Sequence, residues 1–181
     1  MVTNFLETEV IVLLRRLLCA CLALVLLALP GRAEPFDPLI RLHVVAADDS
    51  PESQALKLEV RDAVLLQAQS LLSACPDADS AWLTLSRHLT SLLSAASDRA
   101  LQLGCTDRIS VQLGVFAFPD RLYGDVVVPA GDYRALRVLI GPASGQNWWC
   151  ILYPNLCLPA DDGYNSVILD WLRKLFGGDN P

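Results

Sequence analysis

Two histidines, six cysteines and one adjacent pair of tryptophans are the residues of this sequence most able to do chemistry. His43 and His88 have no partner residues at the spacing of a metal site or a catalytic triad. A serine nucleophile has no support either, because Ser144 lies one position late for a G-x-S-x-G turn. The sequence therefore predicts no catalytic residue, no metal site and no cofactor.

The tryptophan pair points to binding instead. Neighbouring side chains diverge in an extended chain, so we expect one indole to be buried and the other to be presented on a loop. Tryptophans beside amides have the composition of a binding hot spot. The alternative is that both indoles pack in the core under a C-terminal helix. The predicted interaction surface consists of Gly145, Gln146, Asn147, Trp148 and Trp149.

The N-terminal segment has the pattern of an export signal. Arg15 and Arg16 precede an uncharged apolar run over residues 17–29, and small residues up to Ala33 offer a cleavage site. The run is shorter than the roughly 20 residues that a transmembrane helix needs. Residues 1–33 are therefore predicted to be a signal peptide, with an N-terminal membrane anchor as the alternative.

Four cysteines follow the predicted signal: Cys75, Cys105, Cys150 and Cys157. An even number of cysteines in an exported chain favours disulfides over a zinc site, and no C-x2-C pair is present. Of the three ways to pair them, we prefer Cys150 with Cys157, which closes a short loop and leaves Cys75 for Cys105. The alternative for that second pair is two buried free thiols.

The net negative charge of the chain restricts the partners that it can bind. The chain has 14 Lys+Arg against 20 Asp+Glu, a net charge of −6, and an acidic domain repels the phosphates of nucleic acid. Its hydrophobic content of 53% predicts a folded core. Near the C-terminus only Arg173 and Lys174 could face an anionic bilayer, so we expect at most a peripheral or transient membrane contact.

Apolar spacing predicts the elements that must position these residues. Apolar residues at alternate positions and short apolar runs between turns predict strands over residues 40–46, 109–117, 126–128 and 133–140. Helical stripes predict one helix from the cap at Ser50 to just before Pro76, and a second from Asp77 or Asp79 to Leu103.

The predicted order β-α-α-β-β-β corresponds to an α+β fold of two layers, with helices packed on a mostly antiparallel sheet. A C-terminal amphipathic helix completes it. The expected domains are the signal or anchor (1–33), a linker (34–38), the α+β domain (39–160) and the C-terminal helix and tail (161–181).

Three segments together resemble the stage II sporulation protein R family of endospore-forming bacteria. They are residues 41–64, residues 122–137, and residues 145–157 with the motif Gly-Gln-Asn-Trp-Trp-Cys. The third segment is the most specific. Departures from the family's usual residues are His43, where arginine is frequent, and Ala47, where asparagine is frequent, and Cys75 and Cys105 are not part of the pattern.

The resemblance implies a signalling protein and not an enzyme. Proteins of this family are made in the forespore and exported into the space between the forespore and mother-cell membranes. There they activate a membrane-embedded aspartic protease that processes pro-sigma-E. We therefore expect residues 145–149 to contact that protease. The alternative function is a secreted cell-wall or glycan-binding module, because exposed tryptophans also stack on sugars.

Overall fold

The computed structural model of the chain describes residues 38–154 and 166–176, together with Arg15; for residues 166–169 it describes the backbone only. By its internal contacts the chain divides into residues 1–33 and residues 34–181, and the sheet and its helices belong to the second unit. Apart from Arg15, the predicted export signal lies outside the described residues and stays a prediction. None of the described helices has the length and apolar content that crossing a membrane requires.

The described residues form six strands and four helices. They are β1 (Ile40–Val45), α1 (Pro51–Leu72), α2 (Ala78–Arg87), α3 (Leu89–Gln102), β2 (Ile109–Phe118), β3 (Arg121–Tyr123), β4 (Val126–Val128), β5 (Gly131–Ile140), β6 (Asn147–Tyr153) and α4 (Ser166–Phe176). The predicted α+β class is therefore confirmed. The predicted order was too short, because it lacked one helix and two strands.

The helices begin where side chains can satisfy their first N–H groups. The Ser50 hydroxyl accepts the N–H of Ser53 at the start of α1, and Asp77 and Ser80 form a capping box at the start of α2. The single second helix of the prediction is wrong: it is interrupted at His88, whose backbone is not helical (φ −113°, ψ 18°). The apolar stripe continues on both sides of this residue, so spacing alone gave no sign of the break.

Four strands form the main sheet in the order β2-β5-β1-β6, and β3 pairs with β4 in a separate hairpin. Strand β1 runs parallel to β5, while the β1–β6 and β2–β5 pairs are antiparallel. The sheet is thus mostly antiparallel, as predicted. Residues 122–124 were predicted as a turn, but Leu122 and Tyr123 belong to β3, and only Gly124 lies in the turn to β4.

The prediction of two layers is wrong, because at one end of the sheet a further layer covers the face opposite the helices. Helices α1, α2 and α3 pack on one face, over a core that includes Leu42, Leu136 and Leu152. On the opposite face the β3–β4 hairpin and α4 enclose a second core, in which Phe118 and Leu172 are buried. Helix α4 lies where the C-terminal helix was predicted, and its amphipathic character stays a prediction.

The second predicted disulfide is not formed. Cys75 and Cys105 are free and half-buried, and both pack against the helix-side core, as the alternative of buried thiols expected. The Cys75 thiol lies 3.5 Å from the Thr84 hydroxyl, a polar contact that a thiol can use without a bridge. Cys150 is disulfide-bonded. Its predicted partner, Cys157, lies outside the described residues, so that pairing stays a prediction.

Candidate functional site

The segment that precedes β6 is bound to the turn that follows β1. The N–H of Gly145 donates to the carbonyl of Ala46 over 3.1 Å. The Asp49 carboxylate accepts the N–H of Gln146 over 2.7 Å, although these two residues are 97 positions apart. The first and third segments of the sequence resemblance therefore meet in space.

Glycine at position 145 is required by this close approach. A Cβ atom on Gly145 would lie 2.1 Å from the carbonyl oxygen of Asp48, far inside van der Waals contact. Lys57 of α1 also binds this segment, because its ammonium group donates to the carbonyl of Gln146 over 3.2 Å. Lys57 is only 5% exposed, and this burial lowers the pKa of its amine below the usual value.

Trp148 and Trp149 lie on β6 and not on a loop, so that part of the prediction is wrong. Their side chains diverge, as expected of neighbours in a strand. Trp148 points to the helices and packs against the helix-side core. The guanidinium carbon of Arg61 lies 4.2 Å from the centre of the Trp148 ring, and Arg61 is itself paired with Asp62. Trp148 is therefore a structural side chain.

Trp149 lies on the other face of the sheet among aromatic and cationic groups. Its ring stacks on His43, with centroids 3.8 Å apart and planes 11° from parallel. The edge-to-face contact with Phe118 is 4.8 Å, and the Arg121 guanidinium carbon lies 5.7 Å from the ring centre. Trp149 remains half-buried. It thus offers apolar area to a partner without leaving its packed position.

A row of four side chains crosses this face, one from each strand of the main sheet. Strand register places Gln112 beside Arg137, Arg137 beside His43, and His43 beside Trp149. At about 4.8 Å between strands the row spans roughly 14 Å. We call these four residues the transverse row.

Hydrogen bonds fix the orientation of the transverse row. Arg137 donates to the side-chain oxygen of Gln112 over 2.7 Å, and its guanidinium carbon lies 4.3 Å from the centre of the Phe116 ring. The Nε2 atom of His43 lies 2.7 Å from the side-chain oxygen of Asn147. Asn147 is exposed, so its amide nitrogen remains available beside Trp149.

A fully buried arginine lies next to the row. The Arg41 guanidinium carbon lies 4.3 Å from the centre of the Phe118 ring and 4.9 Å from that of Tyr133. Its Nη2 atom donates to the hydroxyl of Tyr123 over 2.9 Å. Its Nε and Nη1 atoms have no hydrogen-bond partner among the described residues. Three aromatic rings therefore enclose a cation that is only partly satisfied.

The family model for stage II sporulation protein R matches residues 36–162. The chain belongs to this family. A curated relative, stage II sporulation protein R of Bacillus subtilis (strain 168), is 35% identical over 121 residues, which make up 67% of this chain and 54% of the relative. The chain thus spans about half the length of the curated relative it matches. No solved structure matches it.

Membership in the stage II sporulation protein R family confirms the resemblance and supports a role in sporulation. The sequence pointed to Asn147 and Trp149, which the structure places on one face of the sheet, but gave no indication that Arg137 or His43 lies beside them. A signal for the face of His43 was present, because polar residues alternate with buried apolar ones along β1. Among the described residues, no cluster of three or more His, Cys, Asp or Glu side chains is arranged to hold a metal ion.

His43 makes the stability of this domain sensitive to pH. Burial is the main cause that lowers the pKa of His43 below 6.5, and the charge of Arg137 adds to it, while the hydrogen bond that His43 donates to the side-chain oxygen of Asn147 acts in the opposite direction. The unfolded chain therefore binds a proton first as the pH falls. We expect the free energy of unfolding to be highest above about pH 7 and to decline as the pH falls through 6.5 towards the lower folded pKa.

Urea denaturation at a series of pH values from about 7.5 to about 5 measures this decline. In His43→Gln the profile should be flatter, because the titrating group is gone. The matched control is His88→Gln at the exposed break between α2 and α3. An unchanged slope in His43→Gln would contradict the assignment.

Proposed function

We propose that this protein is an exported sporulation signal, which activates a membrane-embedded aspartic protease that processes pro-sigma-E. The observation that carries the proposal is membership in the stage II sporulation protein R family. The pattern of Arg15, Arg16 and the following apolar run supports export into the space between the forespore and mother-cell membranes. Activation requires that the protein bind the active state of the protease more tightly than the inactive state.

The proposed contact is the segment of residues 145–149. Gln146 and Asn147 are exposed and offer directional hydrogen bonds, and Trp149 adds half-buried aromatic area beside them. Gly145 and Trp148 hold this segment on the turn after β1 and on the helices. Side chains that are positioned before binding lose little entropy on complex formation, which favours affinity.

Replacing Trp149 by alanine is expected to weaken protease activation strongly while the domain stays folded. Loss of a hot-spot tryptophan costs about 2 kcal/mol or more of binding, a roughly 30-fold change. Asn147→Ala should act in the same direction, because it removes the amide beside the indole. The measurement is processing of pro-sigma-E when protein, protease and pro-sigma-E are produced together in a non-sporulating host.

Two other tryptophans serve as controls for this experiment. Trp148→Ala should lower the thermal midpoint, because this indole packs on the helix side under Arg61. Trp171→Ala on α4 should leave activation per folded molecule unchanged. A folded Asn147→Ala/Trp149→Ala double variant that activates like the wild type would exclude residues 145–149 as the contact.

The geometry around Trp149 weighs against the glycan-binding alternative. Sugars stack on a free face of an indole, but His43 already stacks on one face at 3.8 Å, and Arg121 lies 5.7 Å from the ring centre. Retention of the purified protein on peptidoglycan, lost in Trp149→Ala, would favour that alternative. Absence of retention together with loss of processing in Trp149→Ala is the result expected of a signal.

A further inference from the structure

We propose that the sheet face opposite the helices binds an extended acidic peptide segment of the partner protein. The surface consists of His43, Phe116, Arg121, Arg137 and Trp149, and we call it the cationic–aromatic face. This inference rests on the proposed function for the identity of the partner. It goes further by naming the chemistry of the segment that the partner must supply.

Four arginines of the described residues form ion pairs, whereas the two arginines of this face, like the exposed Arg87 and Arg108, do not. The ion pairs are Arg61 with Asp62, Arg99 with Glu59, Arg134 with Asp79, and Arg173 with Asp125 and Asp170. Neither Arg121 nor Arg137 has a carboxylate partner in the part of the chain that the structure describes. Arg137 is bonded only to an amide, that of Gln112, and Arg121 lies near the Trp149 ring. Both guanidinium groups can therefore donate hydrogen bonds to a carboxylate of a bound partner.

The composition of the strands adds to this charge. The residues that β1, β2, β5 and β6 direct to this face in the transverse row and in the adjacent row of Asn147 include no Asp or Glu; they are His43, Val45, Ser110, Gln112, Arg137, Leu139, Asn147 and Trp149. The adjacent row on the other side, with Arg41, Ala135 and Ile151, is buried beside the second core. The whole chain carries a net charge of −6. Arg121 and Arg137 thus place two unpaired positive charges on one face of an acidic protein, and electrostatic complementarity favours an acidic partner there.

The dimensions of the face match an extended segment. The transverse row spans roughly 14 Å, which corresponds to about four residues of extended chain. Guanidinium groups bind carboxylates in a planar, two-point geometry, and Arg137 is already oriented by Phe116 and Gln112. Between the charges, Phe116 and Trp149 offer half-buried aromatic surface to apolar side chains. Since every second residue of an extended chain faces the same side, the fitting ligand carries acidic and apolar side chains in turn at every second position.

Two other anionic surfaces fit less well. A bilayer of anionic lipid attracts proteins through many cations, whereas this face offers two unpaired exposed or half-exposed arginines on a protein of net charge −6. His43 adds little charge at neutral pH, because burial lowers its pKa. Nucleic acid meets the same obstacle, since it also requires an extended positive surface.

The test is direct binding of a fluorescent peptide to the purified full-length protein. The probe is a peptide of about ten residues in which glutamate and leucine follow each other at every second position with serine between them, and the control peptide has lysine in place of glutamate. Fluorescence anisotropy should show binding of the glutamate peptide, weaker binding at higher salt, and no binding of the lysine peptide. The double variant Arg121→Gln/Arg137→Gln should weaken binding by about tenfold or more.

Matched variants separate this site from general charge. Arg87→Gln removes one exposed positive charge at the end of α2 and should leave affinity nearly unchanged. Arg137→Lys keeps the charge but loses the planar geometry, so it should weaken binding less than Arg137→Gln. Circular dichroism melts identify any variant that fails to fold. If the double variant fails to fold, the peptide affinity of Arg121→Gln alone tests the inference, because Arg121 is exposed.

Three results would overturn the inference: equal binding of both peptides, equal loss in Arg87→Gln and Arg121→Gln, or no binding by the wild type. Binding to anionic vesicles that depends on the same two arginines, without peptide binding, would also overturn it in favour of a lipid surface. The proposed function can fail separately. Peptide binding without protease activation leaves the inference standing, whereas activation without peptide binding removes the inference alone.

Discussion

Replacing Gly145 by alanine is expected to lower the free energy of unfolding by about 3 kcal/mol or more, enough to unfold a marginal domain. An alanine Cβ would lie 2.1 Å from the carbonyl oxygen of Asp48 and 2.4 Å from its carbonyl carbon. Both are backbone atoms, so no side-chain rotation relieves the contact. Asp49 also binds the N–H of Gln146, which opposes separation of the two segments.

Urea denaturation followed by circular dichroism measures this loss. The matched control is Gly131→Ala at the start of β5, where a new Cβ would meet the Tyr133 ring at 3.5 Å, an ordinary contact. We expect that control to change stability by less than about 1 kcal/mol. If Gly145→Ala were as mild as Gly131→Ala, the close approach to Asp48 would not be a constraint on the fold.

The elements recovered from sequence are those with one buried face or a clear cap. Strand β2 directs Ile109, Val111 and Leu113, at alternate positions, to the helix-side core, and α1 begins with Ser50 as its cap and Pro51 as its first residue. Strand β6 was missed because both faces of its residues 150–152 are covered. Cys150 points to the helix-side core and Ile151 to the second core, so its sequence is continuously apolar.

The candidate site was recovered only in part, for a related reason. Asn147 and Trp149 are recognisable as candidate contact residues from their residue types alone. Their neighbours in space depend on strand order and register, since His43 is 104 positions from Asn147 and yet bonded to it. Arg137 joins the row only because β5 lies beside β1 in the sheet. Periodicity along the chain carries no information on which strands become neighbours.

Arg41 is the residue for which two substitutions are expected to differ most. Arg41→Ala should lower the free energy of unfolding by about 3–5 kcal/mol, because it leaves a cavity between Phe118 and Tyr133 and removes the bond to Tyr123. Arg41→Met fills a similar volume and has no donors. It too loses the bond to Tyr123, but it removes two buried nitrogen atoms, Nε and Nη1, that have no hydrogen-bond partner among the described residues, each at a cost of about 1–3 kcal/mol.

Arg41→Met should therefore be close to the wild type in stability, or more stable by about 1–2 kcal/mol. Urea denaturation of both variants under the same conditions makes the comparison, and the difference between them is the informative quantity. If methionine were as destabilising as alanine, the attraction between the guanidinium group and the surrounding rings would exceed the cost of its unpaired N–H groups. Since a buried cation contributes to stability only when that attraction prevails, the methionine variant decides whether Arg41 stabilises the fold through its charge or through its volume.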